Sequence, residues 1–161
     1  MLAFSCPQDG HFLHIRSDEG SLTTTLIGGN NHNGAMFDLT AIVDIEITSF
    51  DYLCVDSTNT TIEVYYVTDH SSYVGKEGAN SSWTLLLNTA TFQPNSTPTQ
   101  NHLDVPSGFI IRAGETVGIY FTSTLDYVQY SNGPLGSFST TELVFEDRGA
   151  GVSYPFGSTY S

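Results

Sequence analysis

Ile110-Ile111-Arg112-Ala113-Gly114-Glu115-Thr116-Val117-Gly118-Ile119-Tyr120-Phe121-Thr122-Ser123-Thr124 is the stretch on which the fold class turns. Two alternating apolar runs flank an Arg-Ala-Gly-Glu turn, which is the pattern of a β-hairpin with one buried and one wet face. Nearly every other apolar run shares this period of two, and none keeps a helical period for three turns. The expected class is all-β: an antiparallel two-sheet β-sandwich, jelly-roll-like, with about ten strands.

Working outward, His11–Arg16 and Leu22–Ile27 read as a first strand pair joined through Asp18-Glu19-Gly20. Gly28 to Gly34 is rich in Gly and Asn, which tolerate positive φ, and reads as a tight loop. It lacks the lysine and following helix of a phosphate loop. Met36–Thr40 and Asp44–Cys54 come next. The apolar face of the second run switches near Ser49-Phe50, which predicts a bulge or a bend there. Thr61–Thr68 and Trp83–Phe92 are strands, separated by a polar loop, Asp69 to Ser82, expected at one end of the molecule. His102–Val105, Phe109–Arg112, Thr116–Thr124, Tyr127–Tyr130 and Thr141–Glu146 complete the set. No repeat or heptad interrupts it, so residues 1–161 fit one domain.

Four Lys and Arg stand against 17 Asp and Glu, for a formal charge of −13 in 161 residues. Phosphate binding needs clustered cations, so nucleic acid is excluded as a partner. An anionic membrane surface would repel the chain, and no apolar run is long enough to insert. The acidic, Ser/Thr/Asn-rich composition points to an extracellular or cell-surface setting. Cys6 and Cys54 could close a disulfide, which would stabilise the fold by roughly 4 kcal/mol; the plainer alternative is two separate buried thiols.

Several phrases in order resemble a module of secreted and cell-surface proteins of algae and environmental bacteria. They include Met36-Phe37-Asp38-Leu39-Thr40-Ala41, Ser72-Tyr73-Val74-Gly75-Lys76-Glu77, Trp83-Thr84-Leu85, Tyr130-Ser131-Asn132-Gly133 and Tyr154-Pro155-Phe156-Gly157-Ser158. The resemblance spans roughly residues 34–158. It implies an extracellular β-rich fold and supplies no catalytic residue; relatives continue past the Tyr-Pro-Phe-Gly-Ser phrase into a further strand, so the expectation for a chain ending at Ser161 is an open edge or a final strand supplied from elsewhere.

Candidate sites follow from residue type. Asn59-Thr60-Thr61, Asn80-Ser81-Ser82 and Asn95-Ser96-Thr97 are N-glycosylation sequons in polar segments. Tyr73, Trp83 and Tyr154 are the leading glycan-stacking aromatics, with Tyr73 and Tyr154 expected exposed on loops; Tyr65, Tyr127, Tyr130 and Phe156 are weaker candidates. Asp38, Asp44, Asp51, Asp56 and Asp69 lack the tight spacing of a dedicated calcium loop, although a structural calcium ion is compatible with them. His11 and His14 are three apart on a strand and point to opposite faces, so they cannot jointly hold zinc. No nucleophile elbow or activated thiol is present. The expectation is a non-enzymatic structural or interaction protein that self-associates into a fibre, sheath or matrix. An apolar arm, residues 1–10, and the tail, residues 149–161, would engage in assembly. The alternative is a carbohydrate-binding module of a secreted or surface protein.

Overall fold

A computed structural model describes residues 14–17, 20–24, 30–96, 99–125, 128–130, 137–157 and 159–160. The arm of residues 1–10, with Cys6, lies outside the described residues, as do Gly28, Gly29 and Tyr127. The chain is all-β. In order it forms β1 (His14–Ser17), β2 (Ser21–Thr23), β3 (Asn30–His32), β4 (Gly34–Ala41), β5 (Ile45–Tyr52) and β6 (Ile62–Val67). A 3-10 turn (Asn80–Ser82), β7 (Trp83–Asn88), β8 (Asn101–Asp104), β9 (Ile110–Ile111) and β10 (Thr116–Ser123) follow. β11 (Val128–Tyr130), β12 (Ser137–Ser139), β13 (Leu143–Val152) and β14 (Thr159–Tyr160) end the sequence of strands.

Two principal antiparallel sheets result. The larger runs β12-β13-β4-β10-β6-β7, with β14 also on β13; the smaller runs β2-β1-β5-β8, with β9 also on β5. β3 and β11 pair separately. The expected missing last strand is corrected: β14, just beyond Tyr154–Gly157, pairs with β13 within the chain. Strands β3, β12 and β14 have no counterpart in the period-two reading, because Asn-Asn-His, Ser-Phe-Ser and Thr-Tyr carry too few apolar residues to show alternation.

The expected hairpin is corrected. β9 pairs with β5 in the smaller sheet, while β10 pairs with β4 and β6 in the larger. Residues 112–115 therefore cross from one sheet to the other. The link from β4 to β5, residues 42–44, makes the same crossing alongside. The two crossings are bonded together: Gly114 N–H donates to Ala41 O at 2.8 Å, and Ala41 N–H to Glu115 O at 3.0 Å. Asp44 accepts from Ala113 N–H at 2.9 Å and from the Arg112 guanidinium at 2.7 Å. Gly114 sits at φ 83°, a left-handed conformation that glycine takes without penalty. Both arms of the turn bury apolar residues, Ile111 on one side and Val117 and Ile119 on the other. Alternation reveals that burial, but not which strand each arm pairs with.

Between the sheets the inward faces meet. Phe121 of β10 packs on Phe50 and Tyr52 of β5, with ring centroids 6.1 and 4.9 Å apart. Phe37, Leu39, Ile47, Ile62, Val64 and Ile111 fill the same interior. The expected irregularity in β5 is present. Arg16 pairs with Ser49 and Ser17 with Ile47, so Thr48 is an extra residue in the ladder. On its other side β5 changes partner at the same place, from β9 at Ile45–Glu46 to β8 at Ser49–Tyr52. The bulge re-aims the strand, which is why its apolar face switches.

The larger sheet is covered on its outer face too. Met36, Val67, Trp83, Tyr120 and Val152 form a second cluster with Tyr73. The segment from Asp69 to Ala79 lies over this face rather than at one end. Asp38, fully buried, accepts from Ser72 Oγ at 2.6 Å and from Tyr73 N–H at 3.0 Å. Gly118 N–H donates to Ser71 O at 2.8 Å. A Cβ on Gly118 would stand 2.6 Å from Tyr73 N, so only glycine admits this close approach. Gly118→Ala is expected to cost about 2 kcal/mol by overpacking. That loss corresponds to a melting-temperature drop of roughly 4–8 °C. Thermal unfolding followed by Trp83 fluorescence checks it; an unchanged midpoint would mean that the segment does not rest on β10.

Candidate functional site

Three clusters of polar and titratable side chains stand out. The first is on the outer face of the larger sheet. Glu63, only 8% exposed, projects from β6 beside Tyr65. It accepts from Tyr65 OH at 2.7 Å, from Tyr154 OH at 3.3 Å and from Asn88 Nδ2 at 3.3 Å. Three donors satisfy the carboxylate that a strand would otherwise bury at high cost. Burial, then the bond to Glu63, holds the Tyr65 phenol well above its ordinary range. Phe156, at φ 53° in the turn after Tyr154, packs on Tyr65, Trp83 and Tyr120 with centroids 5.0, 5.9 and 5.0 Å away. The cluster thus pins the segment 153–157 to its own sheet.

The second cluster is on the smaller sheet. His102 Nδ1 donates to Asp51 at 2.5 Å, and Nε2 faces Asp104 at 3.1 Å. Asp51 is 4% exposed, whereas half of the His102 side chain is open to solvent. Both ring nitrogens face carboxylates, so the doubly protonated imidazolium is favoured. The bond to Asp51 is the main cause that raises His102 above its ordinary 6.5. The third cluster joins the crossings to the covering segment: Glu115 accepts from Arg112 N–H at 2.9 Å and from His70 Nδ1 at 3.3 Å. Those two bonds hold the Glu115 carboxyl below its ordinary value.

Two of the three expected stacking residues are corrected. Tyr73 is 2% exposed, because Asp38 and Gly118 seat its segment in the outer-face cluster. Trp83 is 7% exposed and its indole N–H donates to Lys76 O at 3.0 Å. Neither offers a ring face to a sugar. Tyr154 is half-buried, with its hydroxyl on Glu63. The sequon residues Asn59, Asn80 and Asn95 are all exposed.

The five aspartates weighed for calcium are dispersed. Asp56 accepts from Thr58, Asp69 from Ser71 and Lys76, Asp38 from Ser72 and Tyr73, Asp44 from Arg112 and Ala113, and Asp51 from His102, and none of these partners is shared between two of the five. Among the described residues no three His, Cys, Asp or Glu side chains converge as metal ligands. Cys54 is fully buried, and burial pushes its thiol up to about 12. Among the described residues the buried Tyr52 hydroxyl has no hydrogen-bond partner, and its ring packs on Phe121. Sequence reasoning missed the Glu63 and His102 clusters. Both depend on cross-strand register, Glu63 with Asn88 and Asp51 with His102, which no local pattern encodes.

No model of a known protein family matches the chain, and no curated protein does.

Two measurements follow. A folded-state value raised above the unfolded one contributes stability that is complete below the unfolded value and is lost as pH rises through the folded one. His102 therefore stabilises the protein below about pH 6.5, and this contribution disappears above it. Urea unfolding across pH 5 to 9 should show the decline, and His102→Gln should flatten it; an NMR titration midpoint at or below 6.5 would refute the pairing. In reduced protein, Cys54 should resist a thiol reagent while folded and react on unfolding. Labelling of Cys54 at the same rate in both states would contradict its burial.

Proposed function

We propose that this chain is a non-enzymatic extracellular structural subunit, a jelly-roll-like β-sandwich that associates with copies of itself. The observation that carries the reading is a gap in the charge. Between Glu77 and Asp104 no Asp, Glu, Lys or Arg occurs, in a chain whose net charge is −13. That segment, whose one titratable side chain is His102, holds β7, the end strand of the larger sheet, and β8 up to Leu103, an end strand of the smaller. β7, at the end of the larger sheet, thus carries no charge, whereas β8 ends in the exposed Asp104. On the opposite side β2 and β12, three residues each, lie against one another.

Copies of an acidic protein repel wherever their carboxylates approach within a screening length, about 8 Å at physiological salt. β7 itself brings no carboxylate to such an approach. The strand is six residues long, with Leu85 46% exposed and Leu86 half-buried. Among the described residues no strand pairs with its outer side, and such an edge presents a row of N–H and C=O groups that a second strand can take up. The occupant is a second copy: β7 is an antiparallel strand with no charged residue of its own, so the same edge of another molecule can pair with it without bringing carboxylates together. The extracellular setting rests on composition, on the resemblance to secreted modules and on the three exposed sequons. The carbohydrate-binding alternative keeps Tyr154 alone of its three expected stacking residues.

A lysine at the edge tests the reading. Leu85→Lys is expected to weaken self-association at least tenfold, about 1.4 kcal/mol, without changing the melting temperature of the monomer. Sedimentation of both proteins over a concentration series is the measurement. A wild-type chain made without N-glycans that stays monomeric at every concentration, with no filament in electron micrographs, would overturn it.

A further inference from the structure

The three sequons are not scattered over the surface. Asn80 opens the 3-10 turn whose last residue, Ser82, abuts Trp83 at the start of β7. At the other end, the chain leaves Asn88 and stays beside β6, with Thr89 N–H donating to Ile62 O at 2.9 Å. Phe92 then pairs with Thr60. Asn59 is the neighbour of Thr60. Asn95 lies three residues past Phe92 and is tied to the start of β8, its N–H donating to Asn101 Oδ1 at 2.7 Å. Exposed acceptor asparagines therefore bracket both ends of β7, and all three belong to the side that carries the edge.

That edge is poorly protected by its own residues. Edge strands are usually blunted by lysine, proline, short length or a bulge. β7 has no charge and no proline; its one such device is the bulge at Leu86, the extra residue between the pairs Val64–Leu87 and Tyr65–Leu85. A second strand must come within about 4.8 Å to pair. A sugar tree at Asn80, on the turn that leads into β7, obstructs that approach at the Trp83 end, because an N-linked glycan is bulky and hydrated.

We propose that Asn80 carries an N-linked glycan that caps the β7 edge and keeps the secreted subunit apart from its copies until the cap is absent or bypassed. The inference rests on the self-association reading and adds its regulation. In the modification, the Asn80 amide nitrogen attacks C1 of the first sugar of an oligosaccharide joined through diphosphate to a polyprenol lipid. An N–C bond forms, the C–O bond to the diphosphate breaks, the lipid diphosphate leaves and the amide gives up one proton. Ser82 supplies the hydroxyl at the position that the transferase reads.

The full chain, secreted from a eukaryotic host that attaches N-glycans, provides the test. Mass spectrometry of the peptide containing Asn80 reads occupancy, and sedimentation reads size. Wild type, Asn80→Gln, Ser82→Ala and the double variant Asn80→Gln with Leu85→Lys are compared. The expected result is an occupied Asn80 with a monomeric wild type, at least a doubling of mass in Asn80→Gln and in Ser82→Ala, and return to monomer in the double variant. An unmodified Asn80 overturns the inference. So does an occupied Asn80 with equal mass in wild type and Asn80→Gln. If that equal mass is an assembly that Leu85→Lys still dissolves, the self-association reading stands and only the cap is lost. If every form is monomeric, both fall.

Discussion

The meeting of Phe121 with Phe50 and Tyr52 joins the two sheets, and the remainder of the structure is arranged around it. All three residues come from long strands that could not be neighbours in one sheet, since β5 and β10 belong to different ladders. Fully burying a side chain such as Phe121 contributes roughly 1.5–3 kcal/mol. The chain must then cross between sheets to bring these strands face to face. Two of its crossings, β4 to β5 and β9 to β10, run side by side in opposite directions, and hydrogen bonds between Ala41 and both Gly114 and Glu115 hold them together. One demand, a shared dry interior, thus accounts for the sharp turns at residues 42–44 and 112–115.

The larger sheet departs from the simple picture of one dry and one wet face. Its centre, β4-β10-β6, is covered on the outside by the Asp69–Ala79 segment and by Phe156. Polar groups make that cover possible. Asp38 bonds the backbone of the covering segment, the Trp83 indole bonds Lys76 O, and Tyr120 OH donates to Ser153 O at 3.2 Å. Glu63 is buried by the same cover and is satisfied by the phenols that cover it. These carboxylates are built into the packing, and their chemistry is that of acceptors.

How much of this could be read from the chain depends on the range of each signal. Strands β4, β5, β6, β7 and β10 were legible, because period-two alternation is local and Phe37, Leu39, Ile62, Val64, Val117 and Ile119 keep it. The irregularity beside Ser49 was legible for the same reason: a switch of apolar face requires an extra residue, and Thr48 is that residue. Pairing was not legible. The Arg112–Glu115 turn looks the same whether its arms pair with each other or with strands from elsewhere. Tyr73 was misread because its segment is polar: Ser71, Ser72 and Lys76 are typical of a solvated loop, yet two backbone groups and one buried aspartate suffice to lay it on β10. The Glu63 and His102 clusters were invisible, since each needs a partner more than twenty residues away in sequence, supplied by register.

The pairing of β4 has a further consequence for how the protein comes to exist. This strand, at residues 34–41, sits between β10 and β13, which are made long after it during synthesis. Neither flank of the central strand exists until most of the chain has emerged. Met36, Phe37 and Leu39 remain exposed until then, and pairing over such separations is slow. The central strand of the larger sheet must therefore wait, unpaired, for partners made more than seventy-five residues after it begins.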